Sequence, residues 1–351
     1  MKRMARLAIV NLSSNNPMGQ QHYENKIAEL APEYLGDSWD VRRIIVRTLR
    51  SPLPGDVRIP GKLLRDGAPG ARRITGRLMF HGYHLVHRLD LRIPPTPDRD
   101  IVTVHDLASL HFDDEAKFPR DSAISCRRSL AVVCPSEFSA NEIAERFDIP
   151  RPFVVPNGID ADFLNPNPLS AARRAELGIS GRYVLHAGGC STRKNLAGLA
   201  AAWPFVRSAR PDVSLVLVGP PDARRDKLFE PLPGAIRLGR VERNTLPSLF
   251  AGACAVVVPS FYEGFGLPAV EAMAAGAPVV AANRASLPEV CGDGALLVEP
   301  SGAGLAEGII AALDGGPDID ILVERGRQRA MKFTWAMSAE GHANIWRTFG
   351  G

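Results

Sequence analysis

Cysteine is scarce in this chain. Cys126, Cys134, Cys190, Cys254 and Cys291 are odd in number, widely spaced and without the paired spacing of a metal site, so they are read as buried, reduced thiols. A disulfide-stapled secreted scaffold is thereby excluded. Long apolar runs are also missing: none reaches the roughly 18 to 20 residues that a membrane-spanning helix needs. Residues 1–11 are too short and too charged for a signal peptide, and a cytoplasmic location is expected. Aromatic residues make up only 7% and are not interleaved with basic ones, which argues against a base-stacking nucleic-acid surface. Low-complexity segments and fine-scale repeats are absent.

What is present is an ordinary globular composition, with 45% hydrophobic and 23% charged residues over 351 positions, enough chain for two domains. Net charge is only +4, yet residues 41–99 hold 13 Lys or Arg against 4 Asp or Glu, leaving the rest of the chain at −5. A solvated arginine-rich surface is the plain reading of that stretch; peripheral contact with an anionic membrane face, or with an anionic or lipid-linked acceptor, is the functional one. Nucleic acid is not expected as a partner.

Apolar, β-rich runs recur at 7–12, 41–46, 101–104, 131–134 and 153–155, then at 183–187, 213–218, 236–238, 255–258, 279–282 and 295–298. They lack in/out alternation, as strands buried on both faces should, and helical stretches separate them. The pattern predicts an α/β protein with two Rossmann-like, doubly wound parallel-sheet domains facing a cleft. Residues 1–160 form the first domain, 161–334 the second, and 335–351 a C-terminal helix that packs back on the first. A Pro- and Gly-bearing hinge is placed at 156–170, and 52–70 reads as a long loop.

The most informative stretch is 256–271, VVVPSFYEGFGLPAVE. A strand leads into a glycine-bearing loop and a helix whose first turn accepts Pro268. Gly264 and Gly266 let backbone approach a ligand, and the free N–H groups at the helix start suit a diphosphate. Glu263 and Glu271 flank this cradle. Carboxylates repel phosphate but accept hydrogen bonds from vicinal hydroxyls, which sugar and ribose supply on either side of a diphosphate.

Glu263 through Glu271 resembles the acid, seven residues, acid motif of the family 4 retaining glycosyltransferases of the GT-B fold, including the internal EGFGLP. The resemblance implies that Glu263 and the backbone of Phe265, Gly266 and Leu267 hold the donor sugar, and that Glu271 holds the ribose. HAGGCSTRKNL at 186–196 is similar to the family loop whose Lys and Arg neutralise the leaving diphosphate, here Lys194 and Arg193; many members carry that Arg five residues before the Lys, where this chain has Gly189. DIVTVHDL at 100–107 carries His105 where the family places a histidine against the donor sugar near its reacting carbon, with Asp106 orienting it or capping the next turn. The stretch 13–21 resembles the acceptor-side loop, its usual glycine pair reduced to Gly19, a candidate phosphate contact. VVPNGID at 154–160 matches the interdomain segment, with Asn157 and Gly158 as turn residues.

The resemblance implies transfer of a hexose from a nucleotide diphosphate sugar, with GDP-mannose the first candidate and a UDP-sugar the next, to an unidentified glycan, lipid-linked or small-molecule acceptor. Attack on the same face retains the anomeric configuration, and no metal and no cofactor is expected beyond that co-substrate. A sugar-nucleotide epimerase or phosphorylase of the same fold, or a noncatalytic sugar-nucleotide binding protein, stays open; release of nucleoside diphosphate separates transfer from binding. Residues 264–269 also fit the dinucleotide fingerprint, with Glu289 as its ribose acid, but residues 260–263 intervene where its first glycine should directly follow the strand.

Overall fold

The computed structural model describes residues 4–14 and 19–350. The chain divides into two compact units, Met1–Gly158 with Trp335–Gly351, and Ile159–Thr334. In the first unit β1 (Ala5–Leu12), β2 (Trp39–Thr48), β3 (Val57–Ile59), β4 (Leu85–Arg88), β5 (Asp100–Thr103), β6 (Ala131–Cys134) and β7 (Phe153–Val154) stand in the order β3-β2-β1-β4-β5-β6-β7. In the second, β8 (Arg182–Ala187), β9 (Val213–Val218), β10 (Ala235–Gly239), β11 (Ala255–Val258), β12 (Val279–Ala282) and β13 (Leu296–Val298) stand in the order β10-β9-β8-β11-β12-β13. Every pairing is parallel, so both units are doubly wound sheets, with strand order reversing between β1 and β4 and between β8 and β11.

The apolar runs behave as strands covered on both faces. In the second unit Tyr183, Leu185, Val216, Val218, Val256 and Val258 enter one core cluster, while Val184, Leu215, Leu217, Ala255 and Val257 enter another. Successive residues of a strand point to opposite faces, so each run feeds two helical layers. In the first unit the C-terminal helix, Trp335–Gly350, buries Trp335, Ile345 and Trp346 in the core that holds Leu7, Ile9 and Tyr23. Gly158 is required where the chain passes against the backbone and ring of Trp335, space that a Cβ would occupy.

Several sequence expectations need correction. The interval 52–70 is not a structureless loop: it contains β3 and a short helix, Gly61–Arg65. The strand β4 was not apparent, because its LVHR sequence ends in two polar residues that are nevertheless fully buried. Arg88 survives there because Asp100 (2.6 Å), the Ile93 carbonyl (3.1 Å) and the Ser125 hydroxyl (2.8 Å) take its protons. The arginine-rich stretch is likewise not all solvated, since Arg72 is buried on Asp121 at 3.0 Å and on the carbonyls of Leu63, Leu91 and Arg92. Of the five free cysteines, Cys126, Cys134 and Cys291 are buried, whereas Cys190 and Cys254 are only half-buried.

Candidate functional site

The second unit carries a charged cluster over its switch point. The loop leaving β8 makes a tight turn at Thr192–Lys194, and Asn195 (φ 51°) then caps the helix Leu196–Ala209, its Oδ1 accepting from the Gly198 N–H at 3.1 Å. The Asn195 amide also donates to the carbonyls of Pro259 (3.0 Å) and Pro300 (2.8 Å). One buried side chain thus ties the β8 loop to the ends of β11 and β13. The Phe261 N–H donates to the Arg193 carbonyl at 2.8 Å and closes the two loops on each other.

This arrangement brings Arg193 and Lys194 onto Glu263, the last residue before the Gly264–Gly266 turn. Lys194 Nζ lies 2.6 Å from one carboxylate oxygen, and Arg193 donates to the other at 2.9 Å. The Ser260 hydroxyl adds a 2.7 Å bond, and Ser286 fixes the Glu263 carbonyl at 2.8 Å. Glu263 is only 5% exposed. Burial pushes its carboxyl up, but Lys194, Arg193 and the hydrogen bonds outweigh that and bring it down to about 2. At neutral pH Glu263 is therefore an ionised acceptor pointing two cations into one place.

The loop after Glu263 turns through Gly266 (φ 94°), where a Cβ would stand 2.6 Å from the Leu287 side chain. The helix Leu267–Ala275 starts there; Pro268 has no N–H and the Ala269 N–H already donates to the Gly266 carbonyl at 2.9 Å, so the Leu267 amide is the one that helix geometry leaves without an intrahelical acceptor. Phe265 is buried, its ring packed edge-on against Phe333 at 5.3 Å, so a contribution from this residue comes through its backbone. Glu271 follows one turn into the helix and is half-buried. Burial pushes it up to about 7, with Arg243 opposing and Asp160 adding to the rise. Arg243 Nε is itself paired with Asp160 at 3.1 Å.

His105 and Gly19 belong to the first unit. His105 stands two residues past the end of β5, and burial pushes its imidazole down to about 4. Asp106 caps the next turn, accepting from the Ala108 N–H at 2.9 Å. Gly19 opens the helix Gly19–Leu35 and is exposed, while residues 15–18 of the expected acceptor-side loop lie outside the described residues. Arg193, Lys194 and Glu263 are therefore in direct contact, and Phe265, Gly266, Leu267 and Glu271 continue from them along one loop and helix. Sequence reasoning assigned nothing to Asn195, Ser260, Ser286 and Arg243. Asn195 and Ser260 were within reach, standing beside Lys194 and three residues before Glu263; Ser286 and Arg243 carry no local signal.

Residues 181–315 match the family described as Glycosyl transferases group 1, and residues 31–163 match Glycosyltransferase Family 4. Among curated proteins the chain is 31% identical over 278 residues to O-antigen chain mannosyltransferase B of Escherichia coli, covering 73% of this chain and 71% of that one. It is 34% identical over 214 residues to phosphatidyl-myo-inositol mannosyltransferase of Mycobacterium tuberculosis, covering 56% of this chain and about half, 54%, of the relative. Among solved structures, sucrose-phosphate synthase from Thermosynechococcus elongatus superposes with a TM-score of 0.76 at 21% identity, covering 98% of both chains. Anabaena Alr3699/HepE, solved with UDP and glucose, gives 0.75 at 18% identity, covering 99% of this chain and 100% of that one.

Proposed function

From the premise that this chain belongs to the group 1 and family 4 glycosyltransferases, we propose that it transfers a hexose, with retention, from a nucleoside diphosphate sugar held on the second unit. The observation that carries this reading is the ion-paired Glu263, with Arg193 and Lys194 converging on it at a switch point beside a helix N-terminus. In this reading the diphosphate displaces part of the Glu263 contact and takes Lys194, Arg193 and the amides of Phe265, Gly266 and Leu267. Glu263 then accepts hydroxyls of the transferred sugar, Glu271 accepts those of the ribose, and Gly19 is a further phosphate contact. His105 contacts the sugar near its reacting carbon.

The bond from the anomeric carbon to the diphosphate oxygen breaks, the acceptor oxygen bonds to that carbon on the same face, and the acceptor proton passes to the leaving phosphate. Cations aimed at the leaving group stabilise the charge that develops as the first bond breaks. GDP-mannose is the first donor proposed, supported by two mannosyltransferase relatives, and a UDP-sugar the next. The acceptor in this reading is a glycan, lipid-linked or small-molecule acceptor. GDP and UDP added separately should raise the melting temperature for one of the two, by mass action, and the matching sugar nucleotide should release its nucleoside diphosphate. If neither nucleotide shifts the melt, this reading fails.

Glu271 supplies a pH signature. Ribose hydroxyls donate to the ionised carboxylate, and with Glu271 pushed up to about 7 the acid form dominates below that pH. Nucleoside diphosphate affinity should therefore rise between pH 6 and pH 8, and Glu271→Gln should remove the part that belongs to this group. Glu271→Ala should weaken binding by about 1 to 3 kcal/mol with little change in turnover. Calorimetry on both variants checks this, and unchanged affinity would return Glu271 to a helix-surface role.

The arginine-rich stretch gains a shape that suits an anionic membrane. On the helix Pro69–Met79, Arg72 and Gly76 face inward, whereas Ile74 (62% exposed) and Leu78 (74% exposed) project together, one turn apart, alongside Arg73 and Arg77. A basic helix with an apolar outer stripe binds at a lipid interface. Binding to phosphatidylglycerol vesicles should fall steeply with salt, and Ile74→Ser with Leu78→Ser should weaken it without affecting nucleotide binding. Equal partitioning to neutral and anionic vesicles would remove this proposal.

A further inference from the structure

The His105 imidazole makes no hydrogen bond among the described residues: its Nε2 is buried without a partner. A histidine ring turns about a broad, soft torsion, so packing must set its plane. The ring it meets is Tyr23, perpendicular to it with centroids 4.7 Å apart. Tyr23 in turn is fully buried and held at its hydroxyl, 2.7 Å from His342 Nε2 and 3.3 Å from the Thr103 hydroxyl.

The bonds around Tyr23 run in one direction. The Trp346 indole can only donate, so His87 Nδ1, 3.1 Å away, accepts, and His87 Nε2–H donates to the Thr103 hydroxyl at 2.9 Å. At the other end the Ser338 carbonyl can only accept, so His342 Nδ1 carries its proton at 2.8 Å and His342 Nε2 accepts from Tyr23. With the tyrosine proton committed to His342, Thr103 donates to Tyr23. Ser338, His342 and Trp346 lie four residues apart on the C-terminal helix and share one face, while Thr103 ends the strand that leads to His105.

We propose that Tyr23 is a positioning residue that sets the plane of the His105 imidazole, and that the C-terminal helix fixes Tyr23 through the chain from Trp346 through His87, Thr103 and Tyr23 to His342. This rests on His105 being the residue that contacts the transferred sugar. With no hydrogen bond among the described residues, the neutral ring has no protein partner to fix its tautomer, whereas a hydrogen-bonded imidazole does. The cost is that its orientation depends on a residue far from it in sequence.

The test uses the full chain with nitrogen-15 labelled histidine. Wild type should show His342 protonated at Nδ1, His87 protonated at Nε2, and His105 ring signals displaced by the Tyr23 ring current. Tyr23→Phe, which keeps ring and volume, should retain that displacement and lose the coupling to His342. Tyr23→Leu should lose the displacement and lower the turnover of GDP-mannose, followed as GDP release, by about tenfold or more, with KM within about twofold. If GDP-mannose is not turned over, UDP-glucose is the probe. Opposite tautomers in wild type, or a folded Tyr23→Leu with unchanged turnover, would overturn the proposal. Full turnover in His105→Ala alongside the expected wild-type tautomers and ring shift would instead show that the site reading of His105 is at fault.

Discussion

Glu263→Gln is expected to lower sugar transfer by about a hundredfold or more while leaving affinity for the bare nucleoside diphosphate intact or slightly stronger. The carboxylate is proposed to hold the transferred sugar as positive charge develops on it, an interaction that the bare nucleotide does not test. It also pairs with Lys194 and Arg193, so removing its charge frees both cations for phosphate. The same substitution costs stability, because a neutral amide cannot satisfy two buried cations and the Ser260 hydroxyl. With the carboxyl moved from 4.5 to about 2, that contribution is of order 3 kcal/mol. A depressed acid stabilises fully above its unfolded value and loses that effect as pH falls through its folded one. Wild type should therefore lose more stability than Glu263→Gln between about pH 4.5 and pH 2. Calorimetry, steady-state transfer and acid melts on the two proteins check all three statements. Loss of nucleotide binding in a folded Glu263→Gln would show that the donor lies the other way round.

Lys194→Met is expected to be as damaging, with a different signature. Its ammonium is proposed to stand on the leaving diphosphate, so both turnover and nucleotide affinity should fall, turnover by about 10² to 10³. The variant also leaves Glu263 with Arg193 as its remaining cation, and the carboxyl should rise from its depressed value. A double-mutant cycle with Glu263→Gln separates the two roles. If Lys194 did nothing but hold Glu263, the double variant would match Glu263→Gln alone in both affinity and rate. If Lys194 meets phosphate, nucleotide affinity falls in the double variant as well. Arg193→Met should follow the same direction, since Arg193 makes a parallel 2.9 Å contact with the same carboxylate.

Both predictions concern groups that were legible to different degrees. The motif from Glu263 to Glu271 could be read because its parts are local: a strand end, a glycine turn and the first turn of a helix within a few residues. Lys194 and Arg193 were selected by resemblance, since about seventy residues separate them from Glu263 and no periodicity links the two loops. Asn195 could be seen but its role could not, because its amide partners, Pro259 and Pro300, come from two other loops.

The sequence by itself determined the class of fold, because strands covered on both faces must be apolar throughout and that pattern survives without knowledge of any partner. It also marked the motif from Glu263 to Glu271 and the C-terminal helix. Tertiary structure decided where polar residues could be buried. The strand β4 is hidden in the sequence because His87 and Arg88 are polar, and partners elsewhere in the chain, Trp346, Thr103, Asp100 and Ser125, with the nearby Ile93 carbonyl, satisfy them when buried. It decided equally that the two charged loops meet, since that depends on β8 and β11 lying side by side. Apolar burial is a property of each residue with solvent and can be read one residue at a time. A buried hydrogen bond or ion pair belongs to two residues, and only the fold says which two.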